Sequence, residues 1–354
     1  MPTPTIPDGK LFMNATTYTG NGTYPTTITN GGAGTSFQPD LVWMKARSIA
    51  YDNVLYDSVR GTGTGASLVS NSTSAEGAGS VNANMSAFTS NGFTIGSTSS
   101  TNILNASGQT FVGWQWKAGG AAVTNTAGSI SSQVSANTTS GFSVVTYTAN
   151  GAAAQTIGHG LGVAPVMVIT KCRSAGSSNW GVYHRSIGNT GAVFLNTTDS
   201  TATSSLFWNN TTPTSTVFSV GTNNTDTNFS TNTMVAYCFA EIAGYSAFGS
   251  YTGNGSADGP FVYLGFRPRF VMWKRTDASS GNGWYVLDSA RSTTNVMGER
   301  LFPNLSNAGS VDTQVDFLSN GFKLRTTDTD SNASGGTYIY MAFAENPFKY
   351  ANAR

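Results

Sequence analysis

Three runs carry the clearest alternation of large apolar and small or polar positions in the chain: FVGWQWKA from Phe111, MVAYCFAE from Met234 and YIYMAFAE from Tyr338. At a period of two, Val112/Trp114/Trp116, Val235/Tyr237/Phe239 and Ile339/Met341/Phe343 point one way. Gly113/Gln115, Ala236/Cys238 and Tyr340/Ala342 point the other. Each run is predicted to be a strand whose bulky face fills the core of a sandwich, contributing on the order of 5–8 kcal/mol before entropy is subtracted. A helix would scatter the same residues around its axis, and Gly113 would weaken it.

Other segments recur with these runs. YTGNG at Tyr18–Gly22 returns as YTANG at Tyr147–Gly151 and YTGNG at Tyr251–Gly255, each after an apolar strand. Its glycines suit backbone conformations with positive φ. A proline and an apolar strand ending in lysine follow, which aligns Lys45, Lys171 and Lys274. A hinge comes next, aligning Asp57, His184 and Asp288. Asn91-Gly92 and Asn320-Gly321 are hairpin signals that predict type I′ turns. The repeated positions thus include Tyr18, Tyr147 and Tyr251, the three lysines, and Trp114, Tyr237 and Met341 of the alternating runs. The chain is expected to be all-β, with three tandem internal repeats of about a hundred residues, each a β-sandwich or jelly-roll-like module. The expected boundaries are 1–120 with a short N-terminal arm, 121–246 opening with a small-residue linker over 121–141, and 247–354 with a C-terminal extension.

Composition narrows the function. With 354 residues the chain exceeds what one core usually serves. Its 18 Lys+Arg and 17 Asp+Glu give no field to draw a polyanion, so nucleic acid is an unfavoured partner. The opening MPTPTIPDGKLF lacks a cationic segment followed by an apolar run, and no stretch has the length to span a bilayer, so synthesis in a cytosol without membrane insertion is expected. Cys172 and Cys238 fall inside apolar strands and read as buried reduced thiols.

Candidate chemistry is sparse. No serine has glycine two positions away on both sides, as a hydrolase elbow requires. His159 and His184 have no second ligand at zinc spacing, and no cofactor motif is present. Asp57/Arg60 and Asp288/Arg291 read as local ion pairs, while Glu241 and Glu345 read as strand ends rather than a glycosidase pair. The aligned lysines suit either strand edges, where lysine deters aggregation, or a groove for an anionic glycan; on the edge reading Lys274→Ala is silent. Trp180, Trp208, Trp284 and Tyr285 lie outside the alternating runs and are candidates for exposed rings that stack on sugars, with core packing as the other reading.

The segments IGHGLGVAP from Ile157, TSSLFWNNTTPTSTVFS from Thr203, GYSAFGSYTGNGSADGPFVYLGFRP from Gly244, FLSNGFKLRT from Phe317 and GGTYIYMAFAENPFKYANAR from Gly335 carry a resemblance over nearly the whole chain. They are similar to a repeated β-rich domain of uncharacterised type found in tail-fibre-like and other virion structural proteins of bacteriophages infecting marine bacteria. The resemblance implies a non-enzymatic protein of the virion surface, made in the bacterial cytoplasm and partnered by other virion proteins. A tail-fibre role would add a host cell-surface glycan and a homo-oligomer, with a trimer favoured. The alternatives are a capsid decoration or cement protein and a polysaccharide depolymerase. The proline-rich arm MPTPTIPDGK is expected to lie as a strap along a neighbour.

Overall fold

The computed structural model describes residues 6, 8–31, 35–80, 82–98, 102–222, 224–278, 281 and 283–346; most of the arm and the end of the C-terminal extension lie outside them. The described chain is all-β, with helix confined to single turns such as Ser205–Trp208 and Thr329–Asn332.

Three antiparallel sheets share one order of four strands. An opening strand (Met13–Thr19, Phe142–Thr148 or Ser246–Thr252) pairs with a closing strand (Thr110–Trp116, Thr233–Phe239 or Thr337–Asn346). The closing strand pairs in turn with a lysine strand (Leu41–Ala46, Met167–Cys172 or Arg267–Arg275), and that with a hinge strand (Val54–Asp57, Gly181–His184 or Trp284–Asp288). Register is shared too, since Lys45, Lys171 and Lys274 oppose Val112, Val235 and Ile339. The small-residue stretch over 121–141 forms strands Val123–Asn125 and Ser132–Asn137, which extend the second sheet beyond its opening strand.

A smaller sheet faces each large one: Thr26–Thr29 with Gly92–Ile95 and Met85–Thr89, Gln155–Gly158 with Val217–Val220, and Phe261–Tyr263 with Gly321–Leu324, Ser310–Leu318 and Met297–Arg300. The result is sandwich-like, but its filling corrects the sequence expectation. Each sandwich is packed from the small-residue side of the closing strand, where Ala236 and Cys238 share a core with Phe218, Ala342 shares one with Phe322, and the bare Gly113 lets the Phe93 ring settle against the strand. The bulky sides turn away from their own sandwiches and converge on one shared centre. There Trp116, Phe239 and Phe343, equivalent residues of the three closing strands, form a triangle with ring centroids 6.4, 6.1 and 5.9 Å apart. Alternation specifies which side chains share a face; the partner that covers the face is set by how the sheets assemble.

The repeated turn is half of a long-range clasp. Gly22, Gly151 and Gly255 have φ of 68°, 71° and 70°, the left-handed conformation that glycine suits. The tyrosine hydroxyls donate across the fold, Tyr18 to Leu104 O at 2.8 Å, Tyr147 to Thr227 O at 2.6 Å and Tyr251 to Ser331 O at 2.9 Å. Asn105, Asn228 and Asn332 accept backbone N–H groups of the turns through their side-chain oxygens.

The two hairpins form, but not as I′ turns. Their loops are Ser90-Asn91 and Ser319-Asn320, and neither asparagine has positive φ. Gly92 and Gly321 are instead needed laterally, because an added Cβ would lie 1.9 Å from Ile28 O or 2.1 Å from Val262 O of the neighbouring strand. Cys172 and Cys238 are buried and unbridged.

Candidate functional site

The polar residues that the sequence singles out gather at three seams where the large sheets meet. All three lysines are fully buried. They lie on interior strands, which overturns both the edge and the groove reading. Each ammonium donates to a carbonyl of another segment: Lys45 to Ser306 O at 2.7 Å, Lys171 to Thr73 O at 3.0 Å and Lys274 to Thr198 O at 3.1 Å. Burial lowers each lysine's pKa to about 8, against the opposing pull of nearby acids such as Asp52, Asp226 and Asp330. Three residues beyond each carbonyl, a backbone N–H bonds back across the seam: Gly309 to Arg47 O, Glu76 to Arg173 O and Thr201 to Thr276 O.

The four aromatic residues considered as sugar-stacking candidates are buried: Trp180, Trp208, Trp284 and Tyr285 are all under 5% exposed. Trp180 Nε1 donates to Val69 O and Trp284 Nε1 to Phe194 O, both at 2.9 Å, and the equivalent Asn53 donates to Phe302 O at 3.1 Å. These donors reach the same carbonyl position at each seam. Trp208 donates to Gly191 O, and the Tyr285 hydroxyl bonds Asp330 and Arg300. A ring with one polar atom stays inside when an acceptor meets it there, and the acceptors come from sequence-distant strands.

The hinge residues complete the seams. Asp288 accepts Arg291 Nε at 2.6 Å and Trp114 Nε1 at 2.9 Å; Asp57 accepts Arg60 Nε at 2.5 Å and the Tyr237 hydroxyl at 2.8 Å. Burial alone would raise the Asp288 carboxyl, but Arg291 and the Trp114 N–H outweigh it and hold the pKa below the usual range. At the third seam the hinge position itself carries no charge. Met341 stands where Trp114 and Tyr237 donate, and His184 stands where the aspartates accept. His184 Nδ1 accepts Ser186 N–H, leaving Nε2 to donate to Tyr340 O at 3.2 Å. Burial lowers its pKa to about 4. Glu241 and Glu345, the strand-end acids, are bound by Arg185 and Arg267. His159 is buried against Thr214 O, and burial lowers its pKa. Among the described residues no cluster of three His, Cys, Asp or Glu side chains could hold a metal ion, and no helix is long and apolar enough to cross a membrane.

The outward face missed by sequence reasoning is on the third small sheet, where Phe261 and Tyr263 flank the buried Val262. The usable signal was comparison with the first segment, where Thr27 and Thr29 flank Ile28 as Phe261 and Tyr263 flank Val262. No curated protein and no solved structure matches this chain. A family model does, over residues 8–347, and the chain therefore belongs to the family described as Domain of unknown function (DUF7483).

Proposed function

We propose that the chain is a tandem triplicate, with units at 1–120, 121–246 and 247–354, that serves as a non-catalytic structural protein of a bacteriophage virion surface, tail-fibre-like and engaged in host attachment. The observation that carries this reading is the destination of the ionisable groups. Lys45, Lys171, Lys274, Asp57, Asp288 and His184 are all buried in hydrogen bonds that join one segment to another. Groups held in this way stiffen an assembly and are withdrawn from substrate. Three equivalent faces about one centre suit a position of threefold symmetry, with other virion proteins as neighbours. Capsid decoration remains the second reading, since the same shape fits a threefold site on a head.

Quantitative mass spectrometry of purified particles tests both. A few copies per particle support the fibre, hundreds support decoration, and absence from particles overturns the proposal.

A further inference from the structure

Phe261 and Tyr263 are 43% and 57% exposed on the outer side of an edge strand. Their counterparts are fixed by shared pairing, since Ile28 opposes Phe93, Ile157 opposes Phe218 and Val262 opposes Phe322. The corresponding positions are Thr27 and Thr29 in the first segment, both exposed, and Thr156 and Gly158 in the second, where Asn125 covers Gly158. The first strand pair therefore folds with threonine at both exposed places, so the pairing itself does not call for the two rings, and neighbouring exposed rings are a candidate contact surface.

Each ring lies against a glycine, Phe261 over Gly321 of the neighbouring strand and Tyr263 beside Gly265 in the bend that follows its own strand. A Cβ on Gly321 would come 3.0 Å from the Phe261 ring, and one on Gly265 would come 3.8 Å from the Tyr263 ring. Two residues along a strand set the rings about 7 Å apart, on one face. Beside them, Lys323 opposes Phe261 across the strands and pairs with Asp258 at 2.9 Å, while Arg325 pairs with Asp316 at 2.6 Å. Two cations and two carboxylates leave this rim without net charge, yet supply donors and acceptors.

We infer that this shelf binds an uncharged, polyhydroxylated chain, a neutral polysaccharide, with successive sugar rings stacked on Phe261 and Tyr263. The C–H faces of a sugar suit aromatic faces, and its hydroxyls need donors and acceptors in balance. An anionic glycan would meet the outlying carboxylate of Asp258, and a protein partner needs far more apolar area than two rings supply. The inference rests on the attachment reading only for where the polysaccharide is met.

The test is retardation of the full chain in native gels containing a soluble glucan, mannan or galactan, with alginate as the anionic comparison, at low and high salt. Retardation by at least one neutral polymer, insensitive to salt, is expected. The double variant Phe261→Thr/Tyr263→Thr, which installs what the first segment carries, is expected to bind about tenfold more weakly or less. Tyr263→Thr alone gives a partial loss and serves if the double variant is unfolded by circular dichroism, and Thr29→Ala leaves binding unchanged. No retardation by any neutral polymer, retardation by alginate alone, or equal retardation of the folded variant overturns the site. So does self-association that the folded variant abolishes, which would assign the shelf to a second copy. Particle composition is measured separately: a chain present in particles with a failed shelf leaves the attachment reading standing, and a working shelf on a chain absent from particles sinks only that reading.

Discussion

Two of the three seams are ionic at their hinge and one is neutral, although all three occupy the same place in the same strand order. Where Trp114 or Tyr237 brings an N–H or O–H, the facing hinge holds a carboxylate clasped by an arginine three residues on. Where Met341 brings no donor, the facing hinge is His184, neutral, with Ile187 in the arginine's position. Donor, acceptor and counter-charge have been exchanged together. A buried polar group is tolerable only with its partners, so half an exchange would leave a charge or an acceptor stranded.

The comparison is broken most forcefully at Asp288. Asp288→Ala leaves the Arg291 guanidinium buried without its carboxylate, and a loss of about 3–5 kcal/mol is expected in denaturant midpoints. His184→Leu at pH 7 strands no charge and is expected to cost about 1–2 kcal/mol. Equal losses at the two hinges would remove the distinction between the seams.

Acid separates them by another route. The folded His184 titrates near 4 against an ordinary 6.5. The unfolded chain therefore binds the proton first as pH falls, and the stability present above 6.5 drains away down to 4. About 3 kcal/mol is at stake across that window. The wild type minus His184→Leu difference in stability, followed from pH 7 to pH 4, isolates it; a flat difference contradicts the neutral buried ring.

The lysines come next. Lys274→Ala, silent on the sequence reading, is expected to cost about 2–3 kcal/mol, because it opens a cavity and removes the donor to Thr198 O. Its pH signature lies on the alkaline side. The folded lysines release protons near 8 and unfolded ones near 10.5, so stability should climb with pH between those values, with a smaller slope in the variant. The smallest effect is Tyr237→Phe, about 1 kcal/mol, since Asp57 keeps Arg60. A loss as large as that of Asp288→Ala would show that the hydroxyl, and not the guanidinium, governs that seam.

Strand phase, the aligned lysines and the repeated turn were legible in the sequence because each depends on local period or on a short motif. The role of the bulky faces was not, since Trp116, Phe239 and Phe343 obey the same alternation whether they fill three cores or one. Lys45 misled for a related reason: lysine within LVWMKA is polar in sequence but sheltered in space, because the carbonyl that receives it lies 261 residues away. A lysine embedded in an apolar run three times over is better read as a donor awaiting a distant acceptor. Phe261 and Tyr263 were overlooked because FVY has the composition of a buried strand, and only comparison with Thr27 and Thr29 shows which two side chains face outward.

The bond from Lys45 to Ser306 has a mechanical meaning. A row of stacked units frays from a unit with a single neighbour, whereas this contact bends the row into a hoop in which every stave is held on both sides. Melting has no loose stave to begin from, and the whole hoop is expected to give way in one calorimetric peak.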